Sequence, residues 1–122
     1  MHVFSEIELR EAARAIVSAR MKSEKAVLKL KDGSAQQRLI ARGIAAYSLA
    51  LALIASELGG ESVPDYEKEA LEQAAATLTD LSARVEKALP KFAADTPQHT
   101  LAVRRLRAFE IACRLLNIEL ER

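Results

Sequence analysis

The sequence predicts an all-α protein, an antiparallel four-helix bundle made of two tandem, sequence-related helical hairpins packed about a pseudo-twofold axis. Three observations point there. Half of the 122 residues are apolar, yet aromatics make up only 4% and Trp is absent; Ala and Leu dominate instead, which favours helix over sheet. Apolar residues recur at a spacing near 3.5 residues in four separate stretches, the seam of packed antiparallel helices. Finally, the chain matches itself without a gap at an offset of 62 residues.

The repeat rests on polar as well as apolar identities. Glu24-Lys25-Ala26 falls over Glu86-Lys87-Ala88, Lys29 over Lys91, Gln36 over Gln98, Arg42 over Arg104 and Glu57 over Glu119. Leu9, Ala12 and Ala13 fall over Leu71, Ala74 and Ala75, and several mismatches are conservative, such as Ile16/Leu78 and Tyr47/Phe109. Two Ala/Leu-rich helices share apolar positions by chance; a run of polar matches in one register is harder to obtain that way. A chain of this length is one domain, residues 1–122, with hairpin one over 4–58 and hairpin two over 66–120.

Each element has a start and a stop. Ser5 with Glu8 forms a capping box at the head of the first helix, which the pattern carries to about Lys31. Asp32-Gly33 ends it, glycine accepting the left-handed conformation a helix terminus favours. Ser34 caps the second helix, with Gln37 three residues on, and Gly59-Gly60 stops it after about Leu58. Ser62 or Asp65 caps the third. Pro90 falls within its last turns, where the missing amide and the ring predict a kink or an early end. The second turn lies near Ala93-Ala94-Asp95. Thr96 then caps the fourth helix, with Pro97 at its first position. Leu9, Ile16, Ser23 and Leu30 recur by seven with Ala12, Ala19 and Ala26 between them; Leu71, Leu78, Val85 and Phe92 do the same with Ala74, Leu81 and Ala88. In the second helix the seam runs Ile40, Ile44, Tyr47, Leu51, Ile54, Leu58, and in the fourth Ala102, Leu106, Phe109, Cys113, Leu116, Leu120. Helices of about 25 residues are roughly 35–40 Å long, and the short turns force antiparallel neighbours.

Catalytic and cofactor chemistry finds little to use. A di-iron bundle needs inward Glu residues and Glu-x-x-His pairs, but the histidines, His2 and His99, lack that spacing, and Cys113 is several turns from His99. There is no Cys-x-x-Cys, phosphate-binding glycine loop, dinucleotide turn or Gly-x-Ser-x-Gly. The expectation is therefore no catalytic residue, no metal and no cofactor, and a non-enzymatic protein. Cys113, where the first copy has Leu51, reads as a buried small hydrophobe. A single Cys forms no internal disulfide, no secretory signal opens the chain, and the longest uncharged run, Gly43 to Ser56, is 14 residues, short of the ~20 of a membrane span. The location expected is the cytoplasm, without a membrane span.

Three features are candidates for binding. One is the repeated polar set Glu24, Lys29, Gln36, Arg42 and Glu86, Lys91, Gln98, Arg104. Reflection about each turn sets Glu24 level with Arg42 and Glu86 level with Arg104, so the set reads first as inter-helix ion pairs. As an alternative it reads as a small-molecule or anion site beside the helix N-termini after Ser34 and Thr96. The second feature is the basic aspect of the fourth helix, Arg104, Arg105, Arg107 and Arg114. Glu110 and Glu119 interrupt it, no aromatics interleave for base stacking, and the net charge is only +1, so nucleic acid is the weaker reading.

The third feature is an asymmetry. Where the fourth helix has Arg105, Arg107, Glu110, Arg114 and Asn117, the second has Gly43, Ala45, Ser48, Ala52 and Ala55, with Leu49 also off the seam. A helix apolar all round is normally covered all round, and a bundle covers a helix only where it meets its neighbours. The leading expectation is an interaction or scaffold protein that forms a homodimer through Gly43, Ala45, Ser48, Leu49, Ala52 and Ala55. A different protein partner is the other occupant considered.

Overall fold

Four helices form in the computed structural model, which describes residues 3–60 and 62–122: α1 (Glu6–Val27), α2 (Ala35–Glu57), α3 (Lys68–Ala88) and α4 (Pro97–Leu120), with a 3₁₀ turn over Leu89–Lys91. No strand occurs among the described residues. The fold is the all-α four-helix arrangement that the pattern predicts. At 21 to 24 residues the helices are roughly 32–36 Å long.

Local chemistry explains most of the boundaries. The Ser5 hydroxyl accepts from the Glu8 amide (3.1 Å) while a Glu8 carboxylate oxygen accepts from the Ser5 amide (3.0 Å), a complete capping box. Ser34 accepts from the Gln37 amide at 3.1 Å. The Gln37 side chain turns back on the loop instead of closing a second box, accepting from the Gly33 amide and donating to Asp32. Gly33 (φ 79°) and Gly59 (φ 91°) take the left-handed conformation after the first and second helices, as a helix terminus prefers. Thr96 accepts from the His99 amide with Pro97 following it.

Two boundaries differ from expectation, and a third, at Pro90, is the early end that the sequence predicts. α1 stops at Val27, not near Lys31, because the amides of Lys29 and Leu30 bond three residues back, to Ala26 and Val27, and tighten the chain into a turn. α3 starts at Lys68, with Glu67 in the cap position and no side-chain bond to it, so neither Ser62 nor Asp65 is the cap. Val63 and Tyr66 are half-buried against the core, and this burial holds residues 62–67 extended past the local cap signals. Pro90 ends α3 early, at Ala88, and sits within the 3₁₀ turn.

Around the bundle, α1 packs on α2, α2 on α3, α3 on α4 and α4 on α1. The cross-section is not square. Cα atoms of α2 and α4 come within 8 Å of each other across the diagonal, whereas those of α1 and α3 do not. The Tyr47 and Phe109 rings stack across that diagonal, centroids 5.9 Å apart and planes 14° apart. The short diagonal makes the apolar seams of α2 and α4 wider than a two-neighbour seam and shifts them. Ala46, Ala50, Leu53, Ala108, Ala112 and Leu115 are buried along with Tyr47, Ile54, Phe109 and Leu116, while Leu51 and Cys113 are only half-buried. The expected seam residues Ile40, Ile44, Leu58, Leu106 and Leu120 are also half-buried, and Phe92 is 36% exposed. The deepest positions recur at the 62-residue spacing: 9/71, 12/74, 16/78, 46/108, 47/109, 49/111, 50/112, 53/115 and 54/116.

Val3, the end of α2, Val63 and the end of α4 line one cavity, and the start of α3 adjoins the end of α4. The two chain ends and the α2–α3 connection therefore share one end of the bundle. Both hairpin turns lie at the opposite end, called here the turn end.

The ring stack at the diagonal yields a direct stability expectation. Phe109→Ala removes a side chain only 2% exposed and should cost about 3–5 kcal/mol, whereas Leu28→Ala, at a side chain 84% exposed, should change stability by less than about 0.5 kcal/mol. Urea unfolding followed by circular dichroism measures both.

Candidate interaction surfaces

The turn end gathers the repeated polar residues. Glu24, Lys29, Gln36, Arg42, Glu86, Lys91, Gln98 and Arg104 are all exposed there. The expected cross-helix ion pairs do not form. Glu24 lies 3.9 Å from Arg20 of its own helix, and neither Arg42, Glu86 nor Arg104 belongs to an ion pair among the described residues. Exposed pairs between long side chains gain only about 0–1 kcal/mol, too little to hold a set geometry. Of its eight residues Arg104 alone borders any of the four main cavities among the described residues, and it does so in the α1/α4 groove. The set is an open surface.

That surface is strongly basic. Residues 20–42 and 82–104, which match at the 62-residue offset and build the turn end, carry eleven basic and four acidic side chains; the rest of the chain carries seven and thirteen. The net charge of +1 therefore divides into +7 at the turn end and −6 over the remainder. Helix dipoles add little to this, because two N-termini and two C-termini meet at each end.

The α2 candidates separate into two groups. Gly43 is buried, and a Cβ there would lie 3.9 Å from both Leu81 and Tyr47. Leu49 is 7% exposed. These two belong to the interior, because α2 meets three helices rather than two. Ala45, Ser48 and Ala55 are exposed and Ala52 is half-exposed. With the exposed Ala41 they form a stripe spaced by four, three, four and three residues along the outer side of α2. The matching stripe on α4, Val103, Arg107, Glu110, Arg114 and Asn117, is exposed and mostly charged.

The difference extends to the neighbouring helices. Between α1 and α4 lies an open groove of about 530 Å³ with Ala12, Ala108 and Ile111 in its floor and Glu8, Arg14, Arg104 and Arg107 on its rim. Across it Arg107 donates to Glu8 at 2.6 Å and, along its own helix, to Glu110 at 2.8 Å; its guanidinium also sits 5.7 Å from the centre of the Phe4 ring. The equivalent α2/α3 positions are Ala70 for Glu8, Ala76 for Arg14 and Ala45 for Arg107, all exposed. One side of the bundle is laced by charge; on the pseudo-equivalent side these three positions are alanine, and the charges left are Arg42, which matches Arg104, and Asp80, which stands where the groove has Ser18.

The remaining chemistry is limited. Arg107 is held in two ion pairs, and the Nε of the half-buried Arg105 has no hydrogen-bond acceptor. Only Arg104 and Arg114 of the four arginines are exposed and outside ion pairs, so a continuous basic stripe is not present on α4. Burial pushes the Cys113 thiol up, against a smaller opposing effect of the Thr79 hydroxyl, and a thiol so placed is a poor nucleophile near neutral pH. His99 lies in the first turn of α4, half-buried; His2 falls outside the described residues. Among the described residues no group of three or more His, Cys, Asp or Glu side chains converges on a metal-sized site. By length and composition α2 is apolar enough to cross a bilayer, although its longest uncharged run is short; 39% of its most apolar stretch is buried inside the bundle. No protein-family model matches the chain, and comparison with curated proteins and with solved structures finds no match.

Glu8 provides an electrostatic test of the α1/α4 contact. The Ser5 amide and then Arg107 hold its carboxyl below the usual Glu range. A carboxylate stabilised in the folded state contributes stability above its unfolded pKa, and that contribution is lost as pH falls through the lower folded value. Titration of Glu8 by carbon-detected NMR should find it below an ordinary Glu. In Arg107→Ala it should move part of the way back, the Ser5 amide retaining the larger share.

Proposed function

We propose that this protein is a non-enzymatic helical-bundle interaction module that associates with a second copy of itself through the outer side of α2 and the adjoining face of α3. The observation that carries the reading is the contrast between two pseudo-equivalent sides. Ala41, Ala45, Ser48, Ala52, Ala55, Ala70 and Ala76 stand where the other side has Val103, Arg107, Glu110, Arg114, Asn117, Glu8 and Arg14. Small side chains let helices of two copies approach closely, and the absence of charge at these seven positions removes the desolvation cost that Arg and Glu would impose there.

Size supports the same reading. A folded monomer of this mass typically exposes about 6,500 Å², and this chain exposes 8161 Å². Part of that excess belongs to a rod-like shape. A standard interface covers about 800 Å² on each partner, close to what two adjacent helices roughly 35 Å long can offer at helix spacings of about 10 Å. An isologous twofold contact uses the same patch on both copies.

Light scattering on a size-exclusion column at tens of micromolar tests the reading. Wild type should run at twice the 13.4 kDa chain mass. Ala45→Arg and Ala52→Arg, which install the residues α4 carries at the matching positions, should each run as a folded single chain. Arg114→Ala on α4 should leave the mass unchanged. A wild-type mass of one chain, with helix content intact, removes self-association from the function.

A further inference from the structure

We propose that the turn end of the bundle docks on an anionic lipid surface, with Leu28 and Phe92 entering the headgroup boundary and the surrounding lysines meeting lipid phosphates and carboxylates. The inference does not depend on self-association, and uses a different part of the molecule. Leu28 is 84% exposed and Phe92 36% exposed. One comes from each hairpin turn, and the fold brings both turns to the same end. Nothing in the core requires them there: Leu28 caps α1 from outside, and Phe92 follows the 3₁₀ turn that Pro90 creates.

The charges around these two side chains match the surface proposed. Lys25, Lys29, Lys31, Lys87 and Lys91 are exposed, and no ion pair among the described residues occupies any of them. Basic side chains next to a membrane gain from the negative potential of anionic lipid, and a protruding apolar side chain adds a second, non-electrostatic attachment. Lipid fits better than a soluble polyanion because a nucleic-acid backbone offers no apolar layer for Leu28 and Phe92. The net −6 carried by the rest of the chain repels the same surface, so the turn end leads the approach. Long-range orientation of this kind is an electrostatic effect that salt weakens.

Co-sedimentation of the full chain with vesicles tests the proposal, using phosphatidylcholine alone and phosphatidylcholine containing three-tenths phosphatidylserine. Binding should be at least tenfold stronger to the mixed vesicles and should fall as salt is raised. The double variant Lys29→Glu/Lys91→Glu should lose at least tenfold, and Leu28→Ser/Phe92→Ser several-fold, with helix content unchanged in both. Lysine and Leu28 positions are exposed, so folding is not at stake there; Leu28→Ser alone provides a second readout if the Phe92 change weakens the turn. Equal binding to both vesicle types, or binding indifferent to all of these substitutions, overturns the proposal. So does tight binding to a soluble polyanion such as heparin or duplex RNA with none to vesicles.

Discussion

The short diagonal between α2 and α4 is the constraint on which the rest of the bundle depends. Two helices can approach this closely only where side chains are small, and Ala46, Ala50, Ala108 and Ala112 are at most 1% exposed. Tyr47 and Phe109 fill the level where the aromatic pair fits, contributing area and an offset ring contact together. With α2 and α4 each touching three helices, and α1 and α3 touching two, the inner helices need a broader apolar surface than the outer ones. That requirement accounts for Gly43, Ala46 and Leu49. It does not account for Ala45, Ser48 or Ala55, because α4 occupies the equivalent place and carries Arg107, Glu110 and Asn117 there.

The architecture was legible in the sequence because each level pointed the same way. Caps at Ser5, Ser34 and Thr96, stops at Gly33 and Gly59, and the apolar period agree on four helices, and agreement across levels is what makes a sequence specify one fold. Two of the errors originate in tertiary burial. A heptad seam assumes a helix flanked by two neighbours, so it placed Leu51 and Cys113 inside and missed Ala50 and Ala112, one position away. Local cap chemistry at Ser62 and Asp65 lost to the burial of Val63 and Tyr66. The reflected ion pairs failed because register across a turn brings backbones level but leaves long exposed side chains free to choose, and Glu24 turned toward Arg20 instead.

The charge pattern shows the same limit from another direction. Counted by sequence halves, the chain carries +2 in residues 1–61 and −1 in residues 62–122, and nothing in those numbers suggests polarity. Each half is a hairpin, however, and a hairpin contains both ends of the bundle. Folding sorts Lys25, Lys29, Lys31, Lys87 and Lys91 to one end, and Glu6, Glu57, Asp65, Glu67 and Glu121 toward the other. The polarity becomes visible only once the two turns are known to lie together. Phe92 illustrates the companion case: a position that the heptad assigns to the core is pushed outward once Pro90 ends the helix before it, while its counterpart Leu30 stays half-buried.

The side surface and the end surface then constrain one another. A twofold axis perpendicular to the bundle sets the basic end of one copy beside the acidic end of the other, the arrangement that charge favours in solution. A twofold axis parallel to the bundle puts both turn ends on the same side, against their mutual repulsion. A flat anionic surface reverses the balance, since only the parallel dimer presents four apolar side chains and both lysine clusters to it at once, and linking two weak sites multiplies binding through effective concentration. Salt should weaken the antiparallel preference and lipid attraction together, because the same lysines carry both. If both surfaces operate, the orientation of the dimer is therefore the quantity that couples them: a module whose copies pair antiparallel in solution would have to re-pair in order to dock through both turn ends.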